Sequence, residues 1–301
     1  MIIDPIDLKL IRLLELHGSI PTNEIICKFQ ITEQEMLLRI KNFEDSEFIE
    51  SYGIKLFLPG IIGGKWYWGC IASETTPRFK PEHSVPYLEE IVENLTFPSG
   101  VCPDLSLLFY TQSLEDTYRI INKAPGIKYA EIYKINEYDI NVQKILLKDD
   151  WLTISRFCDH LSTLDYTKIH AIHNKPDSDS DVKLARLLWS KKNKKGVLSI
   201  FPNFNWSIIK NYVHLHCAVT TKMRAKDLRK IVNKLGFSGN ITSRFKKRYF
   251  QLEFDIWGFS DMQTLFSILQ QEKKLAVEGY SFGYKNRIYN NWVKEYINDK
   301  I

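Results

Sequence analysis

Ile31-Thr32-Glu33-Gln34-Glu35-Met36-Leu37-Leu38-Arg39-Ile40-Lys41-Asn42-Phe43 is the stretch on which the fold turns. Thr32 followed three residues later by Glu35 is a capping box, and Ile31 is placed to staple against Met36. Met36, Ile40 and Phe43 then recur on one helical face, so a short helix with a buried stripe starts at Thr32. Upstream, Asp4-Pro5-Ile6-Asp7 opens another helix: an acidic cap, proline at the first helical position and a second carboxylate near the positive end of the dipole. Leu10, Leu13, Leu14 and His17 give that helix its apolar face, and Gly18 stops it. Pro21 or Thr22 starts a shorter helix running to Phe29. Downstream, from Ile49 to Glu74, the pattern becomes short extended runs around Pro59 and Gly60 to Gly64, which predicts a wing hairpin.

Three short helices and a wing resemble the DNA-binding domain of the Lrp/AsnC (feast/famine) transcription regulators. The resemblance runs through Asp7-x-Lys9-Leu10-Ile11-x-Leu13-Leu14, Glu24-Ile25, Ile31-Thr32, Arg39-Ile40-Lys41-x-Phe43-Glu44 and Phe48-Ile49-Glu50-Ser51-Tyr52. It implies a winged helix-turn-helix over residues 1–62 that meets double-stranded DNA, with Thr32, Gln34, Arg39 and Lys41 as groove or phosphate contacts and Lys55 on the wing. Glu33, Glu35, Leu37 and Leu38 stand where the family usually offers small polar and basic side chains. Residues 1–60 hold 6 basic and 10 acidic side chains, a poor balance for neutralising phosphates.

Residues 63–141 read as a βαββαβ sandwich: strand Lys65–Glu74, helix Val85–Leu95, a strand pair around Val101–Ser113, helix Leu114–Lys123 and strand Ile127–Ile135. This order resembles the family's effector and oligomerisation (RAM) domain, which implies a small-molecule effector and a homodimer as further partners. Residues 211–301 repeat it: strand Tyr212–Thr221, helix Ala225–Leu235, strands near Ile241–Phe245 and Tyr249–Trp257, helix Asp261–Gln271 and strand Val277–Tyr284. Cys70 and Cys217 lie 147 residues apart in the two first strands, and Leu105-x-Leu107-x-Phe109 echoes Leu252-x-Phe254-x-Ile256 at the same offset. The fold class expected is therefore α+β, a winged helix followed by two tandem ferredoxin-like modules that pair sheet against sheet inside one chain, as a pseudo-dimer. Between them, residues 142–210 form a connecting segment. Its Asp181-x-Lys183-Leu184-x-Arg186-Leu187-Leu188 repeats the first helix, either as a remnant that lost its recognition helix or as a chance match of two amphipathic helices.

Charge is divided unevenly. Residues 1–150 carry 15 Lys and Arg against 23 Asp and Glu, while residues 151–301 carry 26 against 13. Such a split suggests halves that face one another, or a second half that meets a polyanion. Arg244, Lys246, Lys247 and Arg248, interleaved with Phe245 and Tyr249, suit a surface for phosphates and bases. No apolar run approaches a membrane span, the start lacks a basic leader, and five scattered cysteines form no CxxC pair. These features point to a cytoplasmic protein with buried thiols.

Few residues look chemical. His214-x-His216 share one face of a strand, but no carboxylate or thiol neighbour is evident in sequence, so neither a metal nor a cofactor is expected. Haem-pathway decarboxylases resemble the same architecture, which would imply a His and an Arg in the sandwich near a tetrapyrrole carboxylate. The second module's strand-pair turn offers Arg244, Lys246, Lys247 and Arg248 without a histidine. The expectation is a DNA-binding regulator that is not an enzyme. The alternative is a non-catalytic interaction or sensing module whose winged helix no longer reads DNA.

Overall fold

The computed structural model describes residues 1–17, 29–62, 65–73, 80–81, 85, 87–96, 105–124, 126–134, 146–188, 196–234, 238–244, 249–288 and 291–301. Helix α1 (Pro5–His17) begins as its sequence predicts, with Asp4 Oδ1 accepting from the backbone of Ile6 at 2.7 Å and of Asp7 at 2.8 Å. Helix α2 (Glu33–Asp45) is capped by Thr32, whose hydroxyl accepts from Glu35 N at 3.1 Å, and it buries Met36, Ile40 and Phe43. The second expected helix, apart from Phe29, lies outside the described residues.

The wing is where the expectation fails. Strand β1 (Ile49–Leu56) makes no hairpin with β2 (Lys65–Ser73); it pairs antiparallel with β6 (Leu198–Phe204), Ile54 opposite Ile200. The reason lies in burial. From Tyr52 to Gly60 the chain is buried at every position, as is all of β6, so each strand needs cover on both faces. An exposed wing would alternate.

The connecting segment is also richer than expected. It holds α4 (Lys148–Asp159), α5 (Tyr166–Asn174) and α6 (Asp179–Leu187) before β6. Ser178 caps α6, accepting from Asp181 N at 3.1 Å. Here α6 stands directly before β6, as α2 stands before β1. The sequence echo between Asp181–Leu188 and the first helix therefore joins helices at different places in the order.

The remaining strands form one antiparallel sheet of eight, in the order β5-β2-β4-β3-β10-β7-β9-β8. The first four-strand set is β2, β3 (Leu88–Thr96), β4 (Leu105–Thr111) and β5 (Ile127–Lys134), with helix α3 (Leu114–Lys123) between the last two. The second is β7 (Tyr212–Thr221), α7 (Ala225–Lys234), β8 (Ser238–Arg244), β9 (Tyr249–Trp257), α8 (Gly258–Gln271) and β10 (Leu275–Ile288), followed by α9 (Asn291–Asn298). The second set matches the expected βαββαβ order. In the first set, the helix predicted at Val85–Leu95 is mostly strand β3, because β4 and β10 flank it and supply ladder partners on both sides. That tertiary gain overrides its glutamate-rich, helix-like composition.

Both sets share the spatial order fourth, first, third, second, and they join edge to edge where β3 meets β10. The two sets thus meet within one chain, but edge to edge as one continuous sheet rather than sheet against sheet. The offset of 147 is not kept strand by strand: Cys217 pairs with Leu252, but Cys70 pairs with Ser106 rather than Leu105.

One side of the sheet is covered by α3, α7 and α8. Ile121 packs on Ile71, Leu105, Leu107 and Phe109; Leu228, Val232, Leu265 and Leu269 pack on Leu215, Cys217, Leu252 and Phe254. The opposite side meets the helical layer of α1, α2, α4, α5, α6 and α9 with the β1–β6 pair, whose core includes Leu108, Tyr110, Trp206 and Tyr212. Among the described residues, no helix is long and apolar enough to cross a membrane. Cys158 and Cys217 are buried and not in a disulfide, and burial pushes the Cys158 thiol up to about 12.

Candidate active site

Strands β7 and β9 set the site. Alternation turns Leu215 and Cys217, with Leu252, Phe254 and Ile256, toward α7 and α8. The intervening residues face the helical layer, and there the register places His214 opposite Asp255 and His216 opposite Glu253. Two histidines and two carboxylates therefore share one patch.

Asp255 is its hub. It accepts a two-pronged bond from Arg12 on α1, Nε at 3.0 Å and Nη2 at 2.7 Å. It also accepts the Tyr212 hydroxyl at 2.6 Å, and it lies 3.3 Å from His214 Nδ1. Burial alone would raise the Asp255 carboxyl, but the bond from His214 and the Arg12 charge outweigh it and hold the pKa well below the carboxylate range. Burial also pushes the Tyr212 phenol well up, and the Asp255 charge adds to that. Arg12 is further paired with Glu15 at 2.9 Å.

His214 is held on every side. Trp206, in the short 3-10 turn Trp206–Ile208 after β6, stacks on its ring at 5.2 Å and 11°. Gly283 on β10 pairs with it across the sheet, and a Cβ there would sit 2.6 Å from His214 Cδ2. Only glycine leaves that ring its place. His216 packs edge-on against His214 with centroids 4.8 Å apart, and its Nε2 lies 3.6 Å from Glu253 Oε1. Its Nδ1 is buried without a protein partner. Burial, with His214 and Arg12 beside it, pushes its pKa well below the histidine value, so the ring is neutral. Each of His214, His216 and Glu253 offers a ligand atom within 4.8 Å of the other two.

The residues expected to face DNA are placed differently. Arg39 is engaged by Asp4 and Asp7, both at 2.7 Å, and by Glu35 at 3.1 Å. Its hydrogen bonds to Asp4 and Asp7 raise its pKa further. Lys41 is exposed but paired with Asp45 at 2.8 Å. Lys55 is buried with its ammonium 4.2 Å from the Phe201 ring, a consequence of β1 pairing with β6 rather than forming a wing. Thr32, the cap of α2, and Gln34 in its first turn are exposed. Arg244 ends β8, while Lys246, Lys247 and Arg248 lie outside the described residues.

Sequence reasoning found His214-x-His216 and missed its carboxylates. The signal was present in Glu253-x-Asp255, which alternates with the apolar Leu252-x-Phe254-x-Ile256. Reading it required knowing that β9 runs antiparallel beside β7 in this register. Arg12, 243 residues from Asp255 in sequence, carried no signal at all.

No protein-family model matches the chain, and no curated protein sequence matches it. Solved structures do. The siroheme decarboxylase NirDL is similar over 98% of both chains at 11% identity and a TM-score of 0.43. Its co-complex with an iron-uroporphyrin III analogue is similar over the same shares at 14% identity and 0.43. An AsnC family transcriptional regulator from Agrobacterium tumefaciens is similar over 49% of this chain and 98% of its own, at 18% identity and 0.28. The expectation of a chain that is not an enzyme is corrected here: the end-to-end likeness is to an enzyme, whereas the regulator spans about half of the chain.

Proposed function

We propose that the chain is an enzyme whose reaction centre is the patch on β7 and β9 built around His214, His216, Glu253 and Asp255. The observation that carries this reading is the pair of buried histidines, one oriented from behind by Asp255 and the other kept neutral with a free nitrogen. With Asp255 on Nδ1 of His214, the reactive atom is the Nε2 lone pair, which takes up a proton or a Lewis acid. The shared strand order of the two halves supports a further part of the reading: the chain is a tandem duplication in which the second copy holds the chemistry. Each half presents helices, a strand of the β1–β6 pair, and a four-strand set of one spatial order.

The resemblance to haem-pathway decarboxylases sets the first substrate to assay, a tetrapyrrole carboxylate. In such a reaction a carbon–carboxyl bond breaks, CO2 leaves, and the electron pair left on carbon takes a proton. Of the His and the Arg that the resemblance calls for, His214 is the histidine of the patch, while Arg12, bonded to Asp255 and Glu15, holds Asp255 behind that ring.

The full chain is to be incubated with siroheme and the product read by mass as loss of CO2. His214→Ala should slow turnover by about 10²–10⁴-fold, the span of a lost acid or base. The regulator reading is tested beside it. With Arg39 and Lys41 engaged by their own carboxylates, duplex DNA should be retained no better by the parent than by Gln34→Ala at low salt. Sequence-selective DNA binding that Gln34→Ala abolishes, with no turnover in the parent, would reverse the choice.

A further inference from the structure

Arg12 is paired with Glu15 at 2.9 Å and with Asp255 at 2.7 Å, while Glu253 Oε1 lies 3.6 Å from His216 Nε2. His216 Nδ1, buried without a partner, is an unsatisfied polar atom.

The donor set has a chemistry of its own. Two imidazoles and one carboxylate, with ligand atoms within 4.8 Å of one another, are the set used by catalytic zinc sites, which keep a fourth position open. Behind His214, Asp255 stands 3.3 Å from Nδ1. A carboxylate there fixes the ring and leaves Nε2 as the donor, as it does behind metal-bound histidines. Trp206 and Gly283 hold the same ring in place. Nitrogen-rich donors favour a borderline transition metal over magnesium or calcium.

We propose that His214, His216 and Glu253 bind one divalent transition-metal ion of the zinc class, with Asp255 as the residue that positions His214. The ion would give the His216 ring a partner at a nitrogen that is otherwise buried without one. The proposal rests on the reading of this patch as the reaction centre and names the Lewis acid it would use. Glu253, the partly exposed member, would close the site on the solvent side.

The test uses the full chain, freed of metal with a chelator and titrated with cobalt(II). One equivalent should bind and give the visible ligand-field bands of a four-coordinate site, and zinc should displace it. Glu253→Gln and His216→Ala should abolish stoichiometric binding while the circular dichroism stays that of the parent. Asp255→Asn should weaken it by about 10–100-fold. His170→Ala, a buried histidine elsewhere, should bind as the parent does. Should Asp255→Asn fail to fold, Glu253→Gln on the partly exposed side still decides. Absence of stoichiometric cobalt binding, or equal binding by both ligand variants, overturns the proposal. The two readings separate cleanly. Full turnover by chelated protein with His214→Ala inactive ends the metal proposal and keeps the enzyme. One ion per chain, lost in the ligand variants, with no turnover in any protein keeps the metal and ends the enzyme.

Discussion

The two four-strand sets present the same side of one sheet to the helical layer, yet they present opposite chemistry. In the first, Leu108 and Tyr110 on β4 face the layer and are buried there. Tyr110 lies edge-on to Tyr87, and Tyr87 packs against Trp292 and Tyr296 of α9. In the second, Glu253 and Asp255 take the matching places on β9, with His214, His216 and Arg12 around them. One face is an aromatic core; the other is a charged network held at hydrogen-bond distances. The lesson is that a single architecture tolerates either solution, because the sheet is already stabilised by its helix-covered side. The layer-facing side is then free to hold chemistry in one half and packing in the other.

The largest expected effect breaks the charged face at its hub. Asp255→Leu leaves the half-buried Arg12 with Glu15 alone, strips the buried Tyr212 hydroxyl of its acceptor, and should cost about 3–5 kcal/mol of unfolding free energy. The double variant Arg12→Leu with Asp255→Leu should recover much of that loss, since replacing a buried pair by apolar groups is often neutral. Urea denaturation of the three variants checks this. A double variant as unstable as Asp255→Leu would mean that the patch depends on the carboxylate for more than its charge.

The aromatic face should respond only to volume. Leu108→Ala should destabilise by about 2–4 kcal/mol through the cavity it leaves. It should leave cobalt binding and turnover unchanged. A loss of either would show that the two faces are coupled across the β3–β10 seam.

A finer contrast uses two glycines. Gly283→Ala brings a Cβ to 2.6 Å from the His214 ring, which Trp206 prevents from retreating. It should cost about 1–3 kcal/mol as overpacking and should also lower turnover. Gly69→Ala meets Phe109 Cε1 at 3.2 Å, a gentler contact that should cost under about 1 kcal/mol and leave function intact. Comparable melting curves for the two would deny His214 its confined seat.

The smallest effect is one of pH and belongs to the helical layer behind both faces. Burial lowers the pKa of His170, partly countered by Glu33, and lowers that of His173, with His170 adding to the effect. The unfolded chain therefore binds protons more readily at these positions. Their neutral forms favour folding above the ordinary histidine value of about 6.5, and this advantage is lost as pH falls from there through the lowered folded values. A stability profile of His170→Gln should be flatter than that of the parent between about pH 7 and pH 5. Parallel profiles would place the acid sensitivity elsewhere.

Local signals in the sequence specified the elements they touch. The Asp4 and Thr32 caps form as expected, α2 buries the stripe Met36, Ile40 and Phe43, and the second βαββαβ order appears where its alternations predict. Each of these rests on residues a few positions apart, whose interactions are the same in any fold. What the tertiary structure alone decided lies between residues far apart. Those decisions include β1 seeking β6 instead of a wing, β3 drawn into the sheet by β4 and β10, and Arg39 spent on Asp4 and Asp7. The approach of Arg12 to Asp255 that completes the patch is another. Such pairings are chosen by how well distant faces bury one another and balance charge. Two sequence windows read separately cannot compare those energies.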